Sequence, residues 1–79
     1  MAGRTIKSPF PGTFYSRPKP DAGPYVSVGA DVSAGDVVGI VEIMKNFHEI
    51  TADKAGCVTR IFVENEELVE AGQDVLELG

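Results

Sequence analysis

The chain has 79 residues, of which 43% are hydrophobic and 24% are charged, and its formal net charge is −5. This length supports a single domain, residues 1–79, because shorter pieces could hardly bury a core each. The acidic balance argues against nucleic acid or a membrane surface as a partner, since binding phosphate groups needs clustered lysine and arginine.

Short β-branched segments between turn residues predict an all-β domain. Strands are predicted at 25–28, 37–42, 47–51, 56–63 and 75–78, with turns or loops at 9–12, 18–24, 29–31 and 65–67. No apolar stripe at helical spacing continues over three turns, because glycine or proline interrupts most windows. Many short strands separated by glycine and proline are typical of a sandwich or barrel.

An internal repeat indicates two related half-domains. The segment at 32–38, Val-Ser-Ala-Gly-Asp-Val-Val, recurs at 69–75 as Val-Glu-Ala-Gly-Gln-Asp-Val, an offset of 37 residues. A fainter match relates 8–14 to 52–58 at an offset of 44. Two such halves could pair about a pseudo-two-fold axis, each burying its apolar face on the other.

The spacing of the repeat predicts an insertion at about 16–24 in the first half. Three prolines exclude this segment from a central strand. The run Arg17, Pro18, Lys19, Pro20 and Asp21 puts two positive charges on a stiffened loop in an otherwise acidic domain. We expect these residues to make a functional contact; a rigid surface loop with incidental charge is the alternative.

Residues 43–46 link two predicted strands and are expected to form the tip of a hairpin. Such turns need left-handed backbone, which Asn46 tolerates and which Met44 and Lys45 do not favour. A lysine at this tip projects into solvent on a stem of four methylenes.

The sequence around this tip resembles the attachment site of biotinyl domains. The motif Glu-Ile-Met-Lys at 42–45 is similar to the Glu-Ala-Met-Lys motif of that family, and residues on both sides of it also match. The segment at 8–15 looks like the opening strand of biotin carboxyl carriers of acetyl-CoA carboxylase. The insertion at 16–24 falls where these carriers have a protruding thumb, and the resemblance covers residues 6–78.

The resemblance implies a flattened barrel of two four-stranded antiparallel sheets with a pseudo-two-fold axis. It also implies that a biotin–protein ligase joins biotin to Lys45, which forms a swinging arm. The arm would carry a carboxyl group from a biotin carboxylase subunit to a carboxyltransferase subunit, with acetyl-CoA as the acceptor for fatty-acid synthesis. The domain would then be a non-catalytic carrier with no catalytic residue of its own.

Residues beside Lys45 are candidates for recognition by the ligase. Biotinyl domains usually have alanine where Ile43 stands and often methionine where Asn46 stands, so these two positions bear on recognition. Met44 either contacts the ligase or packs beneath the turn. Glu42 and Glu49 either steer the ligase by charge or keep the strand edge soluble.

The absence of long apolar segments and the presence of one cysteine and one histidine favour a cytoplasmic domain without a metal site. Residues 1–8 lack the apolar stretch of a secretory signal, and the longest apolar run, 37–41, is too short to span a bilayer. The single cysteine, Cys57, fits a reducing compartment and is expected to be a small core residue. With one histidine, His48, expected at a surface or half-buried position, it makes a poor zinc site.

Three other functions stay open. The chain could be a carrier for a different biotin-dependent carboxylase. It could instead be a lipoyl-type module, although lipoyl domains typically show Asp-Lys-Ala at the turn. It could also be an unmodified interaction module that keeps the fold without the cofactor. An enzyme in its own right is disfavoured, because the chain is too short to form a sizeable cleft.

Overall fold

The computed structural model describes residues 5–79, and in this range the chain forms eight β-strands and no helix. The strands are β1 (Thr5–Lys7), β2 (Gly12–Tyr15), β3 (Asp31–Val32), β4 (Val37–Ile43), β5 (Asn46–Thr51), β6 (Gly56–Ile61), β7 (Leu68–Val69) and β8 (Asp74–Leu78). Residues 5–79 therefore contain no helix that could cross a membrane.

Two four-stranded antiparallel sheets form a flattened barrel. The strand order is β1-β8-β6-β3 in one sheet and β5-β4-β2-β7 in the other. Consecutive strands β1 and β2, and likewise β3 and β4, lie in different sheets, so the chain crosses repeatedly between the layers. This arrangement confirms the predicted all-β fold.

The core between the sheets is almost entirely aliphatic. It consists of Ile6, Phe14, Val32, Val38, Val41, Ile50, Ala52, Val58, Val63, Val69, Val75, Leu76 and Leu78. The prediction that Cys57 belongs to this core is wrong, because Cys57 is only half-buried. Side chains alternate between the two faces of a strand, and on β6 it is Val58 that points into the core.

The repeat predicted from the sequence is reproduced in the backbone hydrogen bonds. The Gly35 N–H donates to the carbonyl of Ala52 at 2.8 Å, and the Gly72 N–H donates to the carbonyl of Ser8 at 2.7 Å. Both glycines have left-handed backbone, with φ of 96° and 85°. The two donors, Gly35 and Gly72, are 37 residues apart, and the two acceptors, Ser8 and Ala52, are 44 residues apart. These are the two offsets found in the sequence.

A second pair of bonds shows the same symmetry, with donors that lie outside the matched segments. The Gly29 N–H donates to the carbonyl of Val58 at 2.8 Å, and the Glu66 N–H donates to that of Phe14 at 2.6 Å. Glu66 has a φ of 70° where its symmetry mate Gly29 has 97°. One half therefore uses a residue with a side chain where the other uses glycine.

The predicted strand at 25–28 is wrong. Its residues form the bend that precedes β3, where the Ala30 N–H donates to the carbonyl of Ser27 at 3.0 Å. A proline on one side and Gly29 on the other confine the segment, so its β-branched composition does not lead to sheet pairing. The other predicted strands are confirmed as β4, β5, β6 and β8, with ends shifted by one or two residues.

A close backbone approach at Gly12 fixes the position of β4 against β2. A Cβ atom added at Gly12 would lie 2.3 Å from the carbonyl oxygen of Glu42 and 2.8 Å from Val41 Cγ1. Backbone cannot yield as a flexible side chain can, so any side chain at Gly12 would push the two strands apart.

We expect Gly12→Ala to lower the free energy of unfolding by about 1–3 kcal/mol, the usual cost of overpacking. Urea denaturation followed by circular dichroism measures this change. Gly23→Ala is the matched control, because a Cβ at Gly23 meets nothing within 4 Å. Equal stability of the two variants would contradict the proposed close approach.

Candidate functional site: a lysine on a left-handed hairpin turn

The β4–β5 hairpin ends in a loop of only two residues. Its strands remain paired up to Ile43 and Asn46, so that Met44 and Lys45 alone connect them. Both have positive φ, 50° at Met44 and 70° at Lys45, which is the signature of a type I′ turn.

The predicted hairpin tip is therefore confirmed, but it is shorter than the predicted 43–46, and the expectation that Asn46 supplies the left-handed backbone is wrong. Asn46 is the first residue of β5 and pairs with Ile43. Met44 and Lys45 have the left-handed backbone instead, because strand pairing continues to Ile43 and Asn46 and leaves only these two residues in the loop. A two-residue loop of this type matches the right-handed twist of the strands that it joins.

The turn sequence is unfavourable for the conformation that it adopts. Type I′ turns favour Asn-Gly, since side chains in left-handed backbone cost about 1–2 kcal/mol per residue. Met44 and Lys45 both carry such side chains. Strain of this kind persists where the surrounding structure imposes it and is often found at functional positions.

Both residues of the tip are exposed. Met44 is 89% exposed, which excludes packing beneath the turn. Lys45 is also exposed, and its ammonium makes no ion pair with any of the described residues. A primary amine in this setting is accessible to a modifying enzyme and suits the formation of an amide bond.

An outward-facing cluster lies directly below the tip. The Tyr15 hydroxyl donates a hydrogen bond to Glu42 Oε1 at 3.1 Å, across β2 and β4. The Tyr15 ring centroid is 6.1 Å from that of Phe47, which is 60% exposed on β5. The hydrogen bond to Glu42, then burial, then the charges of Glu42 and Glu66 raise the pKa of Tyr15 above its ordinary value.

The segment at 16–24 is a loop anchored at its base. The Tyr25 N–H donates to the carbonyl of Ser16 at 2.8 Å, and the Ser16 N–H donates to Asn65 Oδ1 at 2.9 Å. Within the loop, the Ala22 N–H donates to the carbonyl of Lys19 at 3.1 Å. These bonds close the base of the loop and join it to Asn65.

A groove of about 410 Å³ separates this loop from the hairpin. It is lined by Tyr15, Arg17, Pro18, Lys19, Pro20, Ile40, Phe47, Asn65 and Glu66. Ile40 faces outward on β4 yet is only 8% exposed, and it lies outside the core between the sheets. The loop and the hairpin thus share an apolar floor, whereas Asp21 is exposed and lies outside the lining.

The other predicted site residues have different surroundings. Glu49 is exposed on β5, and Ile43 is half-buried and packs against the core. His48 is half-buried, with its ring centroid 4.8 Å from that of Phe10. The described residues contain no group of three or more His, Cys, Asp or Glu side chains that could hold a metal ion.

Sequence analysis did not identify Tyr15, Ile40 and Phe47 as site residues. They face the same side of neighbouring strands, since Tyr15 pairs with Ile40 and Phe47 pairs with Glu42. The signal would have been the alternation of side chains along β2, β4 and β5. Using it requires the strand register, which the sequence alone does not provide.

Comparison with known proteins gives consistent matches over almost the whole chain. A family model described as "Biotin-requiring enzyme" matches residues 4–78. The chain is 41% identical, over 96% of its length, to the biotin carboxyl carrier protein of acetyl-CoA carboxylase from Haemophilus influenzae. It is 38% identical, over 99% of its length, to the protein of the same name from Pseudomonas aeruginosa.

The chain spans about half the length of these relatives, 49% and 50% respectively. Among solved structures, it is similar to 6% of the Kluyveromyces lactis urea carboxylase chain, with a TM-score of 0.78 and 35% identity over 95% of this chain. It is also similar to 23% of an aspartoacylase family protein from Mesorhizobium loti, with a TM-score of 0.73 and 28% identity over 99% of this chain.

We expect the double substitution Met44→Asn with Lys45→Gly to raise the free energy of unfolding by about 1–2 kcal/mol, because Asn-Gly favours left-handed backbone. Urea denaturation measures the change. Met44→Leu with Lys45→Arg is the control, since it keeps side chains at both positions and should leave stability unchanged. A double variant no more stable than the control would show that the turn is not strained.

Proposed function

Because the chain belongs to the biotinyl/lipoyl family of biotin-requiring enzymes, we propose that it is the biotin carboxyl carrier domain of an acetyl-CoA carboxylase, with biotin joined to Lys45. The family match and the names of the relatives confirm the predicted resemblance and biotin as its cofactor. The observation that supports Lys45 as the attachment residue is its exposed position on the left-handed two-residue turn.

The residues at the tip fit a covalently attached cofactor. Lys45 provides the amine for the amide bond, and loss of its positive charge leaves no partner unpaired among the described residues. Biotin, when attached, supplies a ureido nitrogen that takes up and releases a carboxyl group. The fixed turn holds the start of the arm, and the four methylenes of the lysine give it reach.

In this proposal the chemistry belongs to partner subunits, a biotin carboxylase and a carboxyltransferase. The domain contributes a tether, which raises the effective concentration of the bound group at both active sites. The groove beside the 16–24 loop, with Arg17 and Lys19 in its lining, is the proposed contact surface for these partners. The cytoplasm is the proposed compartment, since the single cysteine suits a reducing environment.

Recognition by a biotin–protein ligase is assigned to side chains that the enzyme can reach. Met44, Asn46 and Glu49 are exposed, and Glu42 is partly exposed. Ile43 packs against the core, so its departure from alanine is accommodated within the domain rather than presented to the ligase. Asn46 is then the departure from the family motif that the ligase meets directly.

We expect the chain to gain one biotinyl group when incubated with a biotin–protein ligase, ATP and biotin, as measured by intact mass. Lys45→Arg should abolish the gain, because arginine cannot form the amide. Lys7→Arg is the matched control, since Lys7 is an exposed lysine outside the groove, and its replacement keeps the charge beside Asp74 and should leave labelling unchanged.

Labelling of Lys45→Arg would contradict the assignment of the attachment residue. Labelling of Asn46→Met but not of the natural chain would show that this site requires a dedicated ligase. If neither chain is labelled, the biotin proposal fails, and a lipoyl-type or an unmodified interaction module becomes the better explanation.

A carrier for a different biotin-dependent carboxylase is the second candidate function. The similarity to part of urea carboxylase favours it, since that structure matches with a TM-score of 0.78. The domain would have the same role in both cases, and only the acceptor and the partner enzymes would differ.

The acceptor can be tested with the biotinylated domain, a biotin carboxylase, ATP and radiolabelled bicarbonate. Carboxyltransferase preparations that act on acetyl-CoA or on urea are then added separately. We expect transfer of the label to acetyl-CoA, because several relatives are named as carriers of acetyl-CoA carboxylase. Transfer to urea alone would favour the second candidate, and the Lys45→Arg chain should support neither transfer.

A further inference from the structure

We infer that Tyr15 is a positioning residue, whose hydroxyl holds the Glu42 carboxylate beside the Lys45 turn for contact with a cationic side chain of the ligase. This inference rests on the proposed function, because it concerns the enzyme that would modify Lys45. It assigns a role to a residue on β2, the strand that pairs with β4, and therefore outside the attachment motif.

Strand register places Glu42 where a partner approaching Lys45 would meet it. Glu42 is the last outward-facing residue of β4 before the turn, since Ile43 packs inward against the core. It pairs with Thr13 on β2 and with Phe47 on β5. Its carboxylate therefore lies on the outer face of the hairpin, next to the turn that carries the Lys45 amine.

The carboxylate is held by a neutral donor. The Tyr15 hydroxyl donates to Glu42 Oε1 at 3.1 Å. Ion pairs among the described residues join Lys7 to Asp74 and Lys54 to Asp53, and neither involves Glu42. A partly buried carboxylate without a cationic partner is poorly compensated within the domain, and it is available to pair with a cation from outside.

The aromatic contacts fix the position of the hydroxyl. Tyr15 is half-buried and lines the groove together with Ile40, its pairing partner on β4, and its ring centroid lies 6.1 Å from that of Phe47. A ring packed on one side in this way keeps its hydroxyl in one place. The carboxylate is consequently ordered before the ligase binds, which reduces the entropy lost on association.

Kinetics of biotinylation test the inference with three variants. Tyr15→Phe keeps the ring and removes the hydroxyl, Glu42→Gln removes the charge at constant shape, and the double variant combines them. Tyr25→Phe is the matched control, because Tyr25 makes no side-chain hydrogen bond among the described residues. Thermal denaturation checks that every variant is folded.

We expect Tyr15→Phe to raise the KM of the ligase for the domain by about two- to tenfold, the range set by ordering one side chain on binding. The kcat should change less than twofold, because the Lys45 amine is untouched. In the Glu42→Gln background the same substitution should have no further effect, since Tyr15 acts through Glu42. High salt should reduce the difference between Tyr15→Phe and the natural chain.

An unchanged KM for Tyr15→Phe would overturn the inference, and so would an equal rise in KM in the Glu42→Gln background. The latter would indicate that the tyrosine contributes only to packing. If neither the natural chain nor Asn46→Met is biotinylated, the proposed function fails and this inference fails with it; if only Asn46→Met is labelled, the same variants are compared in that background. Labelling of the natural chain with no effect of Tyr15→Phe overturns this inference alone.

Discussion

The pairing of β4 with its two neighbours is the constraint on which the site depends. Six residue pairs join β4 to β5, and β2 pairs with the other edge of β4. The same strand places Val38 and Val41 in the core. Two left-handed residues with side chains cost about 2–4 kcal/mol together, which hydrogen bonds and buried apolar surface of this extent can offset. The strand pairing thus determines the backbone conformation of Met44 and Lys45. Their side chains are not needed to form the turn and can contribute to recognition.

The two halves of the barrel share a backbone plan and differ where function is proposed. Equivalent hydrogen bonds at Gly35 and Gly72 hold the same turn in each half. The 16–24 loop has no counterpart in the second half, and it borders the groove on the outer face of the hairpin that carries Lys45. Ile40 lines the groove between the loop and the hairpin, where apolar and cationic side chains lie together.

Much of this architecture was predictable because the repeat encodes backbone geometry. The two offsets found in the sequence are the offsets that relate the hydrogen bonds, and β4, β5, β6 and β8 are long enough to show a pattern. Strands β3 and β7 have two residues each and carry no periodicity. The error at 25–28 arose because composition was used without the limits that the adjoining turn imposes. The errors at Asn46 and Cys57, and the omission of Tyr15, have a common origin. Each depends on strand register, which long-range pairing determines and local propensity does not.

The rigidity of the turn has a consequence for how often the domain can dock. A lysine on a mobile loop would lose backbone freedom at every encounter, about 1–2 kcal/mol for each residue that becomes ordered. At Met44 and Lys45 that freedom is already lost when the hairpin folds. Each docking event then restricts only side-chain torsions. In the proposed carrier role, the pre-ordered tip would dock at two enzymes in turn with a small entropic penalty each time, and it would leave each of them without refolding.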